Sequence, residues 1–246
     1  MHFSLTDLAA DITQNSAESG AREIELAIWE TDEPERADGP ALKEFRFYAG
    51  DNGKGMTGTE LDRYLDPFAT DGVKHPGRKV GLGLPFLVQT AVDSGGGWRI
   101  STTKKGGETA LRYGPASETG ATSKAGPNKV GPNKVGPNSV GLASKAGVYT
   151  GGSASGTSVE AWFDLGNVDT PPVGDIPGLF RLVLLFSGPE EIIIKRSRKV
   201  GSEKKTELDY EIKKSELMEA LGGNLEDLSS LVLLGKYLRS LEGIDN

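Results

Sequence analysis

Two segments near the start of the chain alternate apolar and polar residues, and the second runs directly into a glycine-rich turn. Residues 22–30 (REIELAIWE) and 43–49 (KEFRFYA) place apolar side chains at every second position. Because side chains of a β-strand point alternately to opposite faces of a sheet, this spacing predicts two neighbouring strands with one buried face. Asp51 follows the second strand and opens residues 51–56 (DNGKGM). We therefore expect a carboxylate at a strand end, beside two glycines.

The segment before these strands has apolar residues at the spacing of a helix. Leu5, Leu8 and Ile12 recur at helical intervals between Ser4, a suitable N-cap, and Gly20, a suitable residue after a helix end. This pattern predicts a helix over residues 5–19.

More helices and strands follow at regular intervals. Thr57 and Glu60 form a capping box that predicts a short helix, and residues 81–85 (GLGLP) predict another that runs to Ser94. Strands are expected at residues 98–103, 108–113 and 156–165, where apolar residues alternate again.

A connector rich in proline and glycine divides the chain after residue 165. We expect a main domain over residues 1–165 and a small C-terminal α/β extension over residues 166–246. The extension is predicted to hold an apolar helix at 179–186, a β-hairpin from 190–197 and 206–213, and helices at 215–221 and 225–241. Within the main domain, the composition of residues 114–155 predicts a flexible low-complexity insertion, in which the unit VGPN recurs with a period of five residues inside residues 124–141.

The composition of the chain excludes several kinds of binding site and partner. The chain has 246 residues with no cysteine and two histidines, so disulfides, thiolate metal sites and multi-histidine metal centres are not expected. A net charge of −7 disfavours nucleic acid as a partner. No apolar run approaches the ~18 residues of a membrane span. The N-terminus shows no secretory signal, so we expect a cytoplasmic protein without a membrane partner.

Three motifs in the sequence suggest that the chain binds a nucleotide. Asp11 and Asn15 lie four residues apart and project from one helix face, where an amide oxygen can ligate Mg²⁺ and a carboxylate can accept a proton from water. Asp51 can accept a hydrogen bond from the amino group of adenine. Residues 81–84 (GLGL) begin a helix, whose N-terminus favours phosphate, and Arg78 and Lys79 add positive charge.

Each motif taken alone has an ordinary explanation. An aspartate and an asparagine with this spacing are more often solvated surface residues. Asp-Asn-Gly is common turn chemistry, and two glycines before a helix are weak support for phosphate binding. The order of the motifs along the chain is more specific than any one of them.

In that order the sequence resembles the GHKL superfamily of gyrases, heat-shock chaperones, histidine kinases and mismatch-repair ATPases. Its N box is similar to residues 7–21 (DLAADITQNSAESGA) and its glycine boxes to 51–56 and 81–84. Its remaining boxes are similar to 66–70 (DPFAT) and 156–158 (GTS). The resemblance implies an α+β Bergerat fold, a two-layer sandwich in which helices cover one face of a mixed sheet. It also implies ATP and Mg²⁺ as cofactors.

The resemblance also implies roles for residues. Asn15 would ligate Mg²⁺, Asp51 would read the adenine amino group and Thr157 would support that contact. Asp11 takes the catalytic position of a general base, which is glutamate in many relatives. The full set implied to bind nucleotide is Asn15, Asp51, Gly53, Gly55, Met56, Lys79, Gly81, Leu82, Gly83 and Thr157.

A narrower resemblance rests on residues 11–21 (DITQNSAESGA), 66–70 (DPFAT), 78–86 (RKVGLGLPF) and 169–178 (DTPPVGDIPG). These segments are similar to stand-alone ATP-binding proteins of anaerobic bacteria, which are often encoded beside iron-only hydrogenase subunits and are described as histidine-kinase-like.

Three functions fit these motifs. The first is a regulatory module in which ATP orders a lid at residues 70–79 and signals to a protein partner, such as a redox enzyme or a signalling protein. Its hydrolysis would be slow, because Asp11 is one methylene shorter than glutamate. The second is a kinase for a partner's His, Ser or Thr; we expect no phosphoacceptor domain here, and interpret His2 and His75 as terminal and lid residues. The third is a binding module without turnover.

Overall fold

The computed structural model describes residues 4–34, 41–68, 83–115, 155–201 and 205–244. Helices and strands alternate irregularly along these ranges. In chain order they are α1 (Leu5–Glu18), β1 (Glu23–Glu33), β2 (Leu42–Asp51), α2 (Gly58–Leu65), α3 (Gly83–Asp93), β3 (Gly97–Thr103), β4 (Thr109–Gly114), β5 (Gly156–Asp164), α4 (Ile176–Leu184), β6 (Glu191–Val200), β7 (Lys205–Lys213), α5 (Lys214–Ala220) and α6 (Leu228–Leu241).

The seven strands of the described residues form one mixed sheet in the order β4-β3-β5-β2-β1-β6-β7. β1 and β6 run parallel, and every other neighbouring pair is antiparallel. The helices pack on one face, where alternate strand residues such as Leu26, Phe47 and Ala161 are buried in the core. The opposite face carries charged pairs such as Arg46–Glu160 at 3.3 Å and Lys195–Glu25 at 2.9 Å. The expected α+β architecture, with helices on one face of a mixed sheet, is confirmed.

Local signals set the helix boundaries. Ser4 caps α1 by accepting the Asp7 N–H at 3.2 Å, and Gly20 follows its end with φ of 79°. The capping box of α2 is present, with the Thr57 N–H donating to Glu60 Oε2 at 2.7 Å. α6 begins at Leu228 and not at Leu225, because the Asp227 side chain accepts the N–H groups of the first helical turn.

The C-terminal hairpin extends the main sheet. β6 and β7 pair as expected, and β6 also pairs with β1 from Glu23 opposite Glu191 to Asp32 opposite Val200. Residues beyond 165 therefore share the sheet and core of residues before it. A division of the chain into two folding units at residue 165 stays a prediction.

The connector before α4 fixes the start of α1. The Leu5 and Thr6 N–H groups donate to the carbonyls of Pro172 and Val173, each at 2.9 Å. The apolar face of α1, with Leu5, Leu8 and Ile12, is buried against the sheet. The polar residues Asp11 and Asn15 lie half-buried at the edge of this packing.

Candidate functional site

Three polar side chains lie side by side at one end of the helix-covered sheet face. Asp51 of β2 is in register with Thr157 of β5, and Thr157 is in register with Thr102 of β3. Side chains two positions apart on a strand point to the same face of the sheet. The residues two positions from this row are Ala49, Val159 and Ile100, which all belong to the hydrophobic core. The polar row is therefore continuous with the core, and Asp51 is only 6% exposed.

The Asp51 carboxylate is held by several donors. Its Oδ1 accepts the Gly53 N–H at 2.8 Å, the Thr157 N–H at 3.3 Å and the Ser19 hydroxyl at 3.5 Å. Burial raises the pKa of Asp51, while hydrogen bonds from Gly53, Ser16, Thr157 and Ser19 act in the opposite direction. No Lys, Arg or His among the described residues forms a salt bridge with this carboxylate.

Close packing requires both glycines of the 51–56 turn. A Cβ on Gly53 would lie 1.9 Å from Ser19 Oγ, and one on Gly55 would lie 1.9 Å from the Thr103 carbonyl oxygen. Gly55 also has φ of 60°, which side-chain-bearing residues rarely adopt. Beyond it, the Met56 N–H donates to Thr102 Oγ1 at 2.8 Å. The turn is thus folded between the end of α1 and strand β3.

A second polar group lies where α1 meets the start of α3. A Cβ built on Gly83 would lie 2.6 Å from Asp11 Oδ2 and 3.4 Å from Asn15 Nδ2. A larger residue at position 83 would therefore require the Asp11 side chain or the start of α3 to shift. The structure therefore brings together residues of two motifs that are far apart in the sequence, the Asp11–Asn15 pair and the glycine motif at 81–84.

One helix lines both groups. Asp11 and Asn15 of α1 and Ser19, which caps the C-terminal end of that helix, follow each other at intervals of four residues, so they share a face over about 12 Å of helix axis. Asn15 and Asp11 lie toward α3, and Ser16 and Ser19 reach Asp51. A ligand lying along this face would meet a buried carboxylate at one end and an amide–carboxylate pair at the other.

No known protein-family profile matches the sequence. Comparison with solved structures gives distant similarities. The ATPase domain of Aquifex aeolicus MutL in complex with ADP has 15% identity and a TM-score of 0.39, over 91% of this chain and 69% of that one.

Two others have similar scores. The N-terminal domain of a DNA repair protein has 12% identity and a TM-score of 0.41, over 84% of this chain and 52% of its own. The topoisomerase IV ATP-binding domain of Francisella tularensis, in complex with a small-molecule inhibitor, has 15% identity and a TM-score of 0.41, over 85% of this chain and 49% of its own. The chain thus spans about half the length of these two proteins.

Several residues suggested by the motifs fall outside the described ranges. They are Lys79, Gly81 and Leu82, the lid at 70–79, both histidines and most of the 114–155 insertion. Within the described ranges, no three His, Cys, Asp or Glu side chains cluster so that they could hold a metal ion. The helices of these ranges are also too short or too polar to cross a membrane.

Thr102 and Asn52 were not identified from the sequence. Thr102 Oγ1 lies 2.9 Å from Thr157 Oγ1 and 3.2 Å from the Gly156 carbonyl oxygen, besides accepting the Met56 N–H. Asn52 Oδ1 accepts the N–H groups of Arg22 and Glu23 at 2.9 and 3.0 Å, which joins the turn to the start of β1. Alternation with Trp98 and Ile100 places Thr102 rather than Thr103 on the core face, but only the strand register shows that Thr102 lies beside Thr157.

Proposed function

We propose that this chain binds ATP with Mg²⁺ along the polar face of α1, in the manner of a Bergerat-type module, and hydrolyses it slowly. One observation carries the proposal. The helix whose serines hold the buried Asp51 carboxylate also places Asp11 and Asn15 against the first residue of α3. A base-reading group and a phosphate-handling group thus lie on one continuous surface.

The base end suits adenine. A buried carboxylate without a cationic partner destabilises a fold, which favours a ligand-binding role for Asp51. Gly53, Thr157 and Ser19 all donate to Oδ1. The proposal assigns the 6-amino group of adenine to the other oxygen, Oδ2. Guanine carries an oxygen at that position, and two acceptors would then face each other. We therefore expect ATP to bind better than GTP.

The phosphate end suits a metal–triphosphate. Asn15 offers an amide oxygen for Mg²⁺ without adding negative charge beside the phosphates. The N-terminus of α3 directs its partial positive charge to the same place, next to Gly83. Bound Mg²⁺ would withdraw charge from the phosphate oxygens. Lys79, Gly81 and Leu82 are proposed to complete this end.

Asp11 is proposed as the general base. Its carboxylate would accept a proton from a water that attacks the terminal phosphate. Aspartate reaches less far than the glutamate of many related proteins, so slow turnover is expected. The proposed output is a nucleotide-dependent ordering of residues 70–79, which changes the surface offered to a protein partner.

Calorimetry with Mg-ATP and Mg-GTP, followed by steady-state phosphate release, tests the proposal. We expect Asp11→Asn to bind ATP like the wild type and to lose phosphate release. Asn15→Ala should weaken binding mainly in the presence of Mg²⁺. Glu18→Gln is the matched control, since Glu18 is exposed on the same helix.

Each alternative function gives a different result. Binding without phosphate release in the wild type would leave nucleotide binding alone, and transfer of labelled phosphate to a co-purified protein would indicate a kinase. An absence of ATP binding at millimolar concentration would contradict the proposal.

A further inference from the structure

Three groups of the chain meet at the hydroxyl oxygen of Thr102 on β3. The Met56 N–H donates to Thr102 Oγ1 at 2.8 Å. The Gly156 carbonyl oxygen and Thr157 Oγ1 lie 3.2 and 2.9 Å from the same oxygen. Thr102 is only 1% exposed, so water has little access to these contacts. The 51–56 turn, the start of β5 and the side chain of Thr157 are therefore joined at one buried atom.

Two of these partners fix the direction of the hydrogen bond between the two threonines. A threonine hydroxyl has one hydrogen and two lone pairs. An N–H group can only donate and a carbonyl oxygen can only accept, so Met56 takes one lone pair of Thr102 and Gly156 takes its hydrogen. The second lone pair remains for Thr157, whose hydroxyl then donates. The opposite direction would take the Thr102 hydrogen away from the Gly156 carbonyl, with one hydrogen bond fewer at this atom.

A Thr157 hydroxyl that donates to Thr102 offers only lone pairs to a ligand. Thr157 is half-buried at the base end of the site and is in register with Asp51, whose ionised carboxylate is also an acceptor. Two hydrogen-bond acceptors thus lie side by side. This arrangement suits an amino group, which has two hydrogens, and disfavours a carbonyl oxygen.

We propose that Thr102 is a positioning residue for base selection, which holds the Thr157 hydroxyl in the direction that favours a 6-amino purine over a 6-oxo purine. This inference rests on the proposed binding of ATP and adds a residue that is buried too deeply to contact the base itself. Thr103 cannot take the same role, because its side chain points to the other face of the sheet, where its hydroxyl lies 2.8 Å from that of Thr109.

Competition binding of ATP and inosine triphosphate to the full chain, with Mg²⁺, tests this proposal. Inosine carries a carbonyl oxygen in place of the 6-amino group of adenine. Thr102→Val removes the hydroxyl, so the Thr157 hydrogen is free to turn toward that oxygen. We expect the ratio of ATP affinity to inosine triphosphate affinity to fall at least about fivefold. Structural damage to the turn alone would weaken both nucleotides by the same factor and leave the ratio unchanged.

Thr102→Ser and Thr103→Val are the matched controls. Serine retains the hydroxyl that joins the three groups. Thr103→Val removes a hydroxyl from the same strand, on the face that points away from the site. Both variants should keep the affinity ratio within about twofold of the wild type.

Thr157→Val removes the other partner of the same hydrogen bond and does not depend on the stability of Thr102→Val. It should also lower the ratio, and adding Thr102→Val should lower it no further, because Thr102 acts through Thr157. An unchanged ratio in Thr102→Val or in Thr157→Val, or a further fall in the double variant, would overturn this inference and leave the proposed function standing. An absence of ATP binding by the wild type would overturn both.

Discussion

At the residue scale, the buried carboxylate of Asp51 lowers the stability of the fold when it is charged, so its presence is not explained by stability. Its carboxylate is buried in continuity with the apolar core, and burial raises its pKa. Because the folded state then binds the proton more tightly than the unfolded chain, its contribution to stability is present at low pH. That contribution is lost as the pH rises through the raised pKa. At neutral pH the charged form is therefore a cost to the fold.

Asp51→Asn should separate ligand binding from stability. An asparagine oxygen can still accept the Gly53 and Thr157 N–H groups, and the buried charge disappears. We expect a melting temperature at pH 7.5 no lower than that of the wild type. ATP affinity should fall by roughly 30- to 150-fold, equivalent to about 2–3 kcal/mol for a lost charge-assisted hydrogen bond. Calorimetry and thermal denaturation of the same preparation measure both, and unchanged affinity would remove Asp51 from the adenine contact.

ATP affinity should also decrease as the solution becomes acidic. With Oδ1 occupied by N–H and O–H donors, a proton on Asp51 would sit on Oδ2 and remove the acceptor for adenine. Since the pKa of Asp51 is raised, this loss should occur above the pH at which an ordinary aspartate titrates. Binding measured from neutral to weakly acidic pH would show it. Asp51→Asn should lack this transition while sharing any pH effect of the phosphates.

At the element scale, the site depends on how near the first turn of α3 comes to α1. Apolar residues hold both helices on the sheet, with Ile12 of α1 and Leu87 of α3 in the same core. Gly83 lies at the contact between them, where a methyl group would overlap Asp11 Oδ2. The phosphate end is thus defined by a helix–helix distance rather than by either helix alone.

Gly83→Ala should damage the phosphate end and leave the base end intact. The added Cβ must displace either Asp11 or the helix start, because the two atoms would lie 2.6 Å apart. We expect the phosphate-release rate to fall by at least about tenfold, with a smaller change in affinity for adenosine, which has no phosphate. Gly58→Ala is a matched control at another helix start, where a Cβ would meet only contacts of 3.5 and 3.6 Å. Equal activity of Gly83→Ala and the wild type would place the phosphates elsewhere.

At the scale of the whole molecule, a buried ionic cluster ties the C-terminal helix to the far end of the sheet. Arg196 of β6 donates to Glu242 at 3.1 Å and to Glu30 of β1 at 3.1 Å. The Tyr210 hydroxyl donates to Glu242 at 2.5 Å, and burial together with Glu242 raises the pKa of Tyr210. Side-chain exposure is 1% for Arg196 and 7% for Glu242, so these charges are largely shielded from water.

Glu242→Ala should destabilise the protein far more than a comparable surface change. Removing Glu242 leaves Arg196 buried with less compensation, which typically lowers the free energy of unfolding by about 3–5 kcal/mol. Glu190→Ala breaks an ion pair of 2.6 Å with Arg22, but those side chains are 62% and 74% exposed. We expect that change to alter the free energy of unfolding very little, because water solvates both side chains and screens their attraction. Chemical denaturation of the two variants gives the comparison, and similar values would mean that water reaches the Arg196 cluster.

The sequence by itself determined the elements and most of the candidate site. Alternation gave β1 and β2, helical spacing gave α1, and Ser4 and the Thr57–Glu60 box marked helix starts, because these are local properties of backbone geometry and capping. Asp11, Asn15, Asp51 and Gly83 were identified for the same reason, since each belongs to a short motif.

Only the tertiary structure shows which helices, strands and side chains contact each other. Alternation shows which strand residues share a face but not which strands are neighbours, so the parallel pairing of β6 with β1 was not predicted. Thr102 became part of the site only through its register with Thr157. Local rules fix the conformation of a segment, whereas contacts between distant segments depend on how the whole core packs.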